Sequence, residues 1–137
     1  MRIHFALDFP EDLQAIVDPL ISKWKDLIPP WCQELRICYD PKRDSMMSTT
    51  LNYRNRWAVL HITGVWFKEK VEERELALVH EFVHILLEPI DAPIVRIIQD
   101  ALEEGTTARE LAASMHTDGS EAAVEDTAQA ILRVTKK

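Results

Sequence analysis

The chain reads as an α+β protein. The sequence predicts an N-terminal helix, a small and mainly antiparallel sheet, a central apolar helix and further C-terminal helices. Three observations predict this. "PEDLQAIVDPLISKWKDLI" repeats apolar residues (Leu13, Ile16, Val17, Leu20, Ile21, Trp24 and Leu27) at three-and-four spacing, as an amphipathic helix does. Strand-like runs rich in β-branched and aromatic residues follow. From Lys70 the helical period returns and holds to the end. A length of 137 residues predicts one domain spanning 1–137.

"MRIHFALDF" is a short opening strand. Pro10 suits the start of the first helix, Pro19 threatens a kink, and Pro29 with Pro30 ends it. "ELRICYD", "SMMSTTLNYR" and "RWAVLHITG" are strands joined by short polar connections, so antiparallel pairing is the economical arrangement. "VEERELALVHEFVHILLEP" opens with acids that suit the positive end of the helix dipole. It turns apolar on nearly every side from Leu76, and Pro89 is expected to close it. "APIVRIIQDALEE" is a separate helix interrupted at Gly105, and "TTARELAASMH" adds a turn or two. "TDGSEAAVEDTAQAILRV" is a last helix with Ser120 or Asp118 as N-cap.

Composition excludes some classes of function. With 23 acidic against 16 basic side chains and a net charge of −7, the chain lacks the basic face of a nucleic-acid or membrane-surface binder. Its two cysteines, Cys32 and Cys38, make no disulfide framework and read as reduced thiols. No signal-peptide pattern and no long apolar run is present, so the expected address is the cytoplasm of a bacterial or phage-infected cell.

The chemistry lies in "LVHEFVHILL". His80 and His84 are four apart and share a helix face, so both imidazoles can hold one ion. Glu81 sits about 100° round the helix, where it can reach a water without ligating the ion. This is the H-E-x-x-H pattern: two zinc ligands and a general base. Zinc accepts neutral imidazole, and a catalytic site keeps a position open for water, whose pKa falls toward ~7. A buried polar trio without partners would cost several kcal/mol, and a metal removes that cost.

A third ligand is needed. Downstream candidates are Glu88, Asp91, Asp100, Glu103, Glu104, His116, Asp118, Glu121, Glu125 and Asp126. Glu88 is expected to point along the helix axis, and Glu103 and Glu104 to be solvated. His116 is chemically suitable. Glu121 and Glu125 share a face with Ala128 and Leu132. One can bind the ion and the other orient a ligating histidine, or both are simply acids of a first helical turn.

"LVHEFVHILLEP" followed by "EAAVEDTAQAIL" resembles the small gluzincins, single-domain zinc peptidases with H-E-x-x-H on one helix and a glutamate on a second. The likeness is greatest to short metallopeptidases encoded in bacteriophages and prophages. It implies a zincin-like fold and zinc held by His80, His84 and Glu121. It also implies Glu81 as general base and Glu125 in a supporting position, or as ligand if the match slips one turn. It further implies a peptide or protein substrate paired to an edge strand, for which "RWAVLHITG" is the nearest candidate. His61 there is a candidate oxyanion donor, as is Tyr53, and the alternative for His61 is a half-buried strand histidine with no such duty. A monomer or weak homo-oligomer is expected. The rival expectation is a zinc-stabilised binding module of the same fold, either non-catalytic, with its fourth coordination place closed by His116 or a thiol, or latent, with the 91–119 stretch blocking the site.

Overall fold

A computed structural model describes residues 1–136. Strand β1 (Arg2–Phe5) leads into helix α1 (Glu11–Trp24), which ends in a single 3-10 turn, Lys25–Leu27, before the two prolines. Pro10 precedes the helix, and Glu11 and Asp12 occupy its first turn. The helix continues through Pro19 and buries Val17, Ile21 and Trp24.

Strands β2 (Glu34–Asp40), β3 (Met47–Asn52) and β4 (Trp57–Thr63) complete a four-stranded sheet of order β1-β2-β4-β3. The sheet is mixed, which corrects the mainly antiparallel arrangement expected. β1 pairs with β2, and β2 with β4, in parallel; only β3 and β4 are antiparallel. Helix α1 is the crossover that a parallel β1–β2 pair requires. The 41–46 connection carries β3 to the outer edge, and β4 folds back between it and β2. The β3–β4 turn closes with Arg56 at φ 63°. Its carbonyl accepts from Gln33 N at 2.8 Å, which fixes the unusual residue in place.

Register decides what faces the core. Leu35, Ile37, Leu60 and Ile62 are fully buried on one face. Thr49 lies opposite Leu60 and shares that face, whereas Ser48 and Cys38 lie opposite His61 on the other. After β4 a short helix, α2 (Gly64–Lys68), buries Trp66, a feature absent from the sequence reading.

Helix α3 runs unbroken over Val71–Ala101, through Pro89 and Pro93. The expected stop at Pro89 does not occur. A proline cannot donate to the carbonyl four residues back, here that of Ile85. That carbonyl instead accepts from the buried indole Nε1 of Trp31 at 2.9 Å. The loss that normally ends a helix at proline is thus offset locally.

A turn with Gly105 at φ 80° joins α3 to helix α4 (Thr107–Thr135). Thr106 caps α4, its hydroxyl accepting from Arg109 N. The separate last helix expected from Asp118 or Ser120 is not there, and α4 passes straight through Gly119. Ser120 donates its hydroxyl to Asp91 Oδ1 at 3.1 Å and so caps nothing.

The described chain is α+β, with four helices and one sheet. It falls into two compact units, Met1–Leu86 and Leu87–Lys137. The first contains the sheet and nearly all of the core. The second is a helical hairpin. No helix among the described residues is long and apolar enough to cross a membrane.

Candidate metal centre

In the first unit, the segment of α3 that carries the histidines is held at both ends by tryptophans. At one end Trp24 Nε1 and Lys23 Nζ both donate to Glu75 Oε1, at 2.8 and 2.6 Å. At the other, Trp31 donates to Ile85 O. Between them Leu78, Val79, Phe82 and Val83 are fully buried. This packing leaves one face of the segment for polar groups, and His80 and His84 occupy it, half-buried. Their rings are one turn apart, with centroids separated by 4.9 Å and planes at 67°. That spacing suits two nitrogens directed at a common ion.

Glu81 is buried, with 9% of its surface exposed. Its Oε2 accepts from Thr49 Oγ1 at 3.0 Å. The bond joins a carboxylate on the helix to β3, the outer strand of the sheet. Sequence reading missed it. The only available signal was a threonine in an alternating strand, and nothing local shows which of 48, 49 and 50 faces the helix.

His61 stands on the opposite face of the sheet from Thr49, because adjacent strand residues alternate. Its Nε2 is 3.1 Å from Thr50 Oγ1. Burial, then the nearby Arg43 guanidinium, holds its pKa below the usual imidazole value, partly opposed by Asp40. The strand that bears it, β4, is interior, so it offers no edge to a peptide; β3 does. "RWAVLHITG" is thus not the edge strand expected, and His61 lies on the face of the sheet opposite Thr49, the residue that bonds Glu81. Tyr53 lies in the β3–β4 turn, edge-on to Trp31 at 5.2 Å.

Both thiols lie in the first unit. Cys32 is buried and donates to Glu34 O at 3.3 Å, and burial raises its pKa. Cys38 is on the His61 face, and burial raises its pKa too. Both are protonated thiols at neutral pH.

In the second unit, Glu121 is an exposed residue of α4 and Glu125 is half-buried one turn later, accepting from Gln129 Nε2 at 3.0 Å. His116, the alternative ligand, is engaged by Asp91: Nε2 lies 2.6 Å from Oδ1. That buried nitrogen lies close to the carboxylate without the alignment of a hydrogen bond. Glu88 is pushed up to about 7 by burial and then by the neighbouring Asp91 carboxylate. Asp100 pairs with Arg96, and Glu103, Glu104, Asp118 and Asp126 are exposed.

Two imidazoles one turn apart beside a buried carboxylate are a donor set that fits zinc. Comparison with known proteins adds no constraint: no family model, no curated protein and no solved structure matches the chain.

Proposed function

We propose that this protein is a zinc-dependent peptidase of the zincin type. The observation that carries the reading is the α3 segment itself. It presents an imidazole pair at 4.9 Å and, immediately beside it, a buried glutamate. A buried acid next to two histidines is costly unless it has work to do.

The proposed ligands are His80 and His84, with Glu121 as the acid ligand. Glu125 is the supporting carboxylate. When bound, zinc would polarise the scissile carbonyl and acidify a water molecule. Glu81 serves as general base, taking the proton from water and returning it to the leaving amine. Thr49 holds Glu81 by one oxygen, so the carboxylate need not search for its orientation. An extended peptide pairs its main chain with the outer edge of β3, the strand that also carries Thr49.

Elemental analysis of purified wild type beside Glu121→Ala and Glu125→Ala tests the ligand set. Near-stoichiometric zinc, lost with Glu121→Ala alone, is the expected result. Loss with Glu125→Ala alone would move the ligand by one turn. No zinc after supplementation would overturn the proposal. For the base, Glu81→Gln should keep its zinc and lose peptide hydrolysis by about 10²–10⁴-fold.

A further inference from the structure

Three side chains of the hairpin meet at one oxygen. Asp91 on α3 presents its Oδ1 to two residues of α4. His116 Nε2 lies 2.6 Å from it, and the Ser120 hydroxyl donates to it at 3.1 Å. His116 and Ser120 are four apart, so they stand one above the other on the side of α4 that faces α3. All three residues are half-buried.

The contact brackets the weakest point of α4. Gly119 lies between the two residues, near the middle of the helix. Inside a helix glycine is less favourable than any residue but proline, because its backbone has the most freedom to lose. Nothing lies within 4 Å of the place where a Cβ at 119 would stand, so no close packing calls for the glycine. The surrounding residues, "TDGSE", also suit a helix start, since Asp118 and Ser120 are both of the N-cap type. The chain therefore carries two local instructions here, to continue one helix or to begin another. Asp91 favours the first. It ties α4 to α3 on both sides of the glycine, and it takes the hydroxyl that would otherwise cap a new helix.

Glu121 is the next residue. Successive helix residues turn about 100° round the axis, so the direction of Ser120 sets the direction of Glu121. We infer that Asp91 is a positioning residue, which holds, through Ser120, the turn of α4 that displays Glu121. The inference rests on the zinc reading, in which Glu121 is the acid ligand. Contacts that orient a metal ligand without touching the metal are worth about 10–100-fold in metal affinity.

The affinity of the full chain for Zn2+, read by competition with a chromophoric chelator, tests it. Asp91→Ala and Ser120→Ala should each weaken binding about tenfold. The two together should be no worse than either alone, because they remove one bond. Asp91→Asn keeps an acceptor oxygen for Ser120 and should stay within about twofold of wild type. In a Glu121→Ala background, Asp91→Ala should change nothing. General damage to the hairpin would instead weaken binding in both backgrounds. In the metal-free chain, Asp91→Ala should also speed amide hydrogen exchange around 117–122, and circular dichroism checks that each variant folds. A wild type that takes up no zinc would remove the zinc reading and this inference with it. Zinc bound by the wild type and held equally well by Asp91→Ala, or an equal Asp91→Ala loss without Glu121, would overturn the inference alone.

Discussion

The two units differ in how they are held together. In the first, Leu35, Ile37, Leu60 and Ile62 are fully buried under a sheet, and the ends of the histidine segment are tied to tryptophans. In the second, Val124 and Ala128 are the buried residues among those described, and several large apolar side chains face outward. The imidazole pair and Glu81 belong to the well-packed unit. A base must be positioned within a fraction of an ångström, and dense packing supplies that.

The sharpest way to break this contrast is to delete equal volumes from each unit. Leu60→Ala should cost about 2–5 kcal/mol of unfolding free energy, as buried leucine truncations do. Leu111→Ala, on the open side of the hairpin, should stay within about 0.5 kcal/mol. Urea titration measures both, and comparable losses would mean that the second unit has a core of its own.

Next in size is Trp31→Phe. It leaves the Ile85 carbonyl buried and unserved, at about 1–3 kcal/mol. In a Pro89→Ala background a backbone N–H again reaches that carbonyl. The Trp31→Phe loss should therefore shrink there, and a double-mutant cycle on thermal unfolding reads the difference. Additive effects would sever the proposed link between 31 and 89.

Thr49→Val acts on the proposed chemistry alone. It should lower kcat about tenfold with zinc content and KM unchanged, and Thr49→Ser should recover most of the loss. Equal loss in the serine variant would show that β3 matters by shape and not by its hydroxyl.

The smallest effect is a pH dependence in the hairpin. Glu88 has a folded pKa raised to about 7, from a usual value of 4.5. The folded state therefore keeps its proton longer than the unfolded one, and this group makes stability fall as pH rises from about 4.5 to 7. Above that window the penalty is constant. Glu88→Gln should flatten this part of the melting-temperature profile by a small amount, since the side chain is partly solvated. An unchanged profile would mean that Glu88 ionises normally.

What was legible in the sequence was what is local. "ELRICYD" and "RWAVLHITG" alternate and became β2 and β4, and "LVHEFVHILL" placed two histidines on one turn. What escaped was set by distant partners. Strand order depends on where β3 is carried, and no residue of β3 announces it. Pro89 reads as a stop until Trp31 is known to serve Ile85, 54 residues away in sequence. Ser120 reads as a cap until its hydroxyl is seen on Asp91. The Thr49–Glu81 bond spans 32 residues and depends on register.

The bond from Trp31 to Ile85 also constrains how this chain can change over generations. A proline at 89 is tolerable only after an indole, or another donor, stands at 31. Once the proline is in place, position 31 loses its freedom, because any replacement without a donor that reaches it strands a buried carbonyl. The order of substitutions becomes one-way: the tryptophan can arrive first at little cost, but it cannot leave first. Drift at 31 then waits on reversion at 89, and the two positions inherit as one.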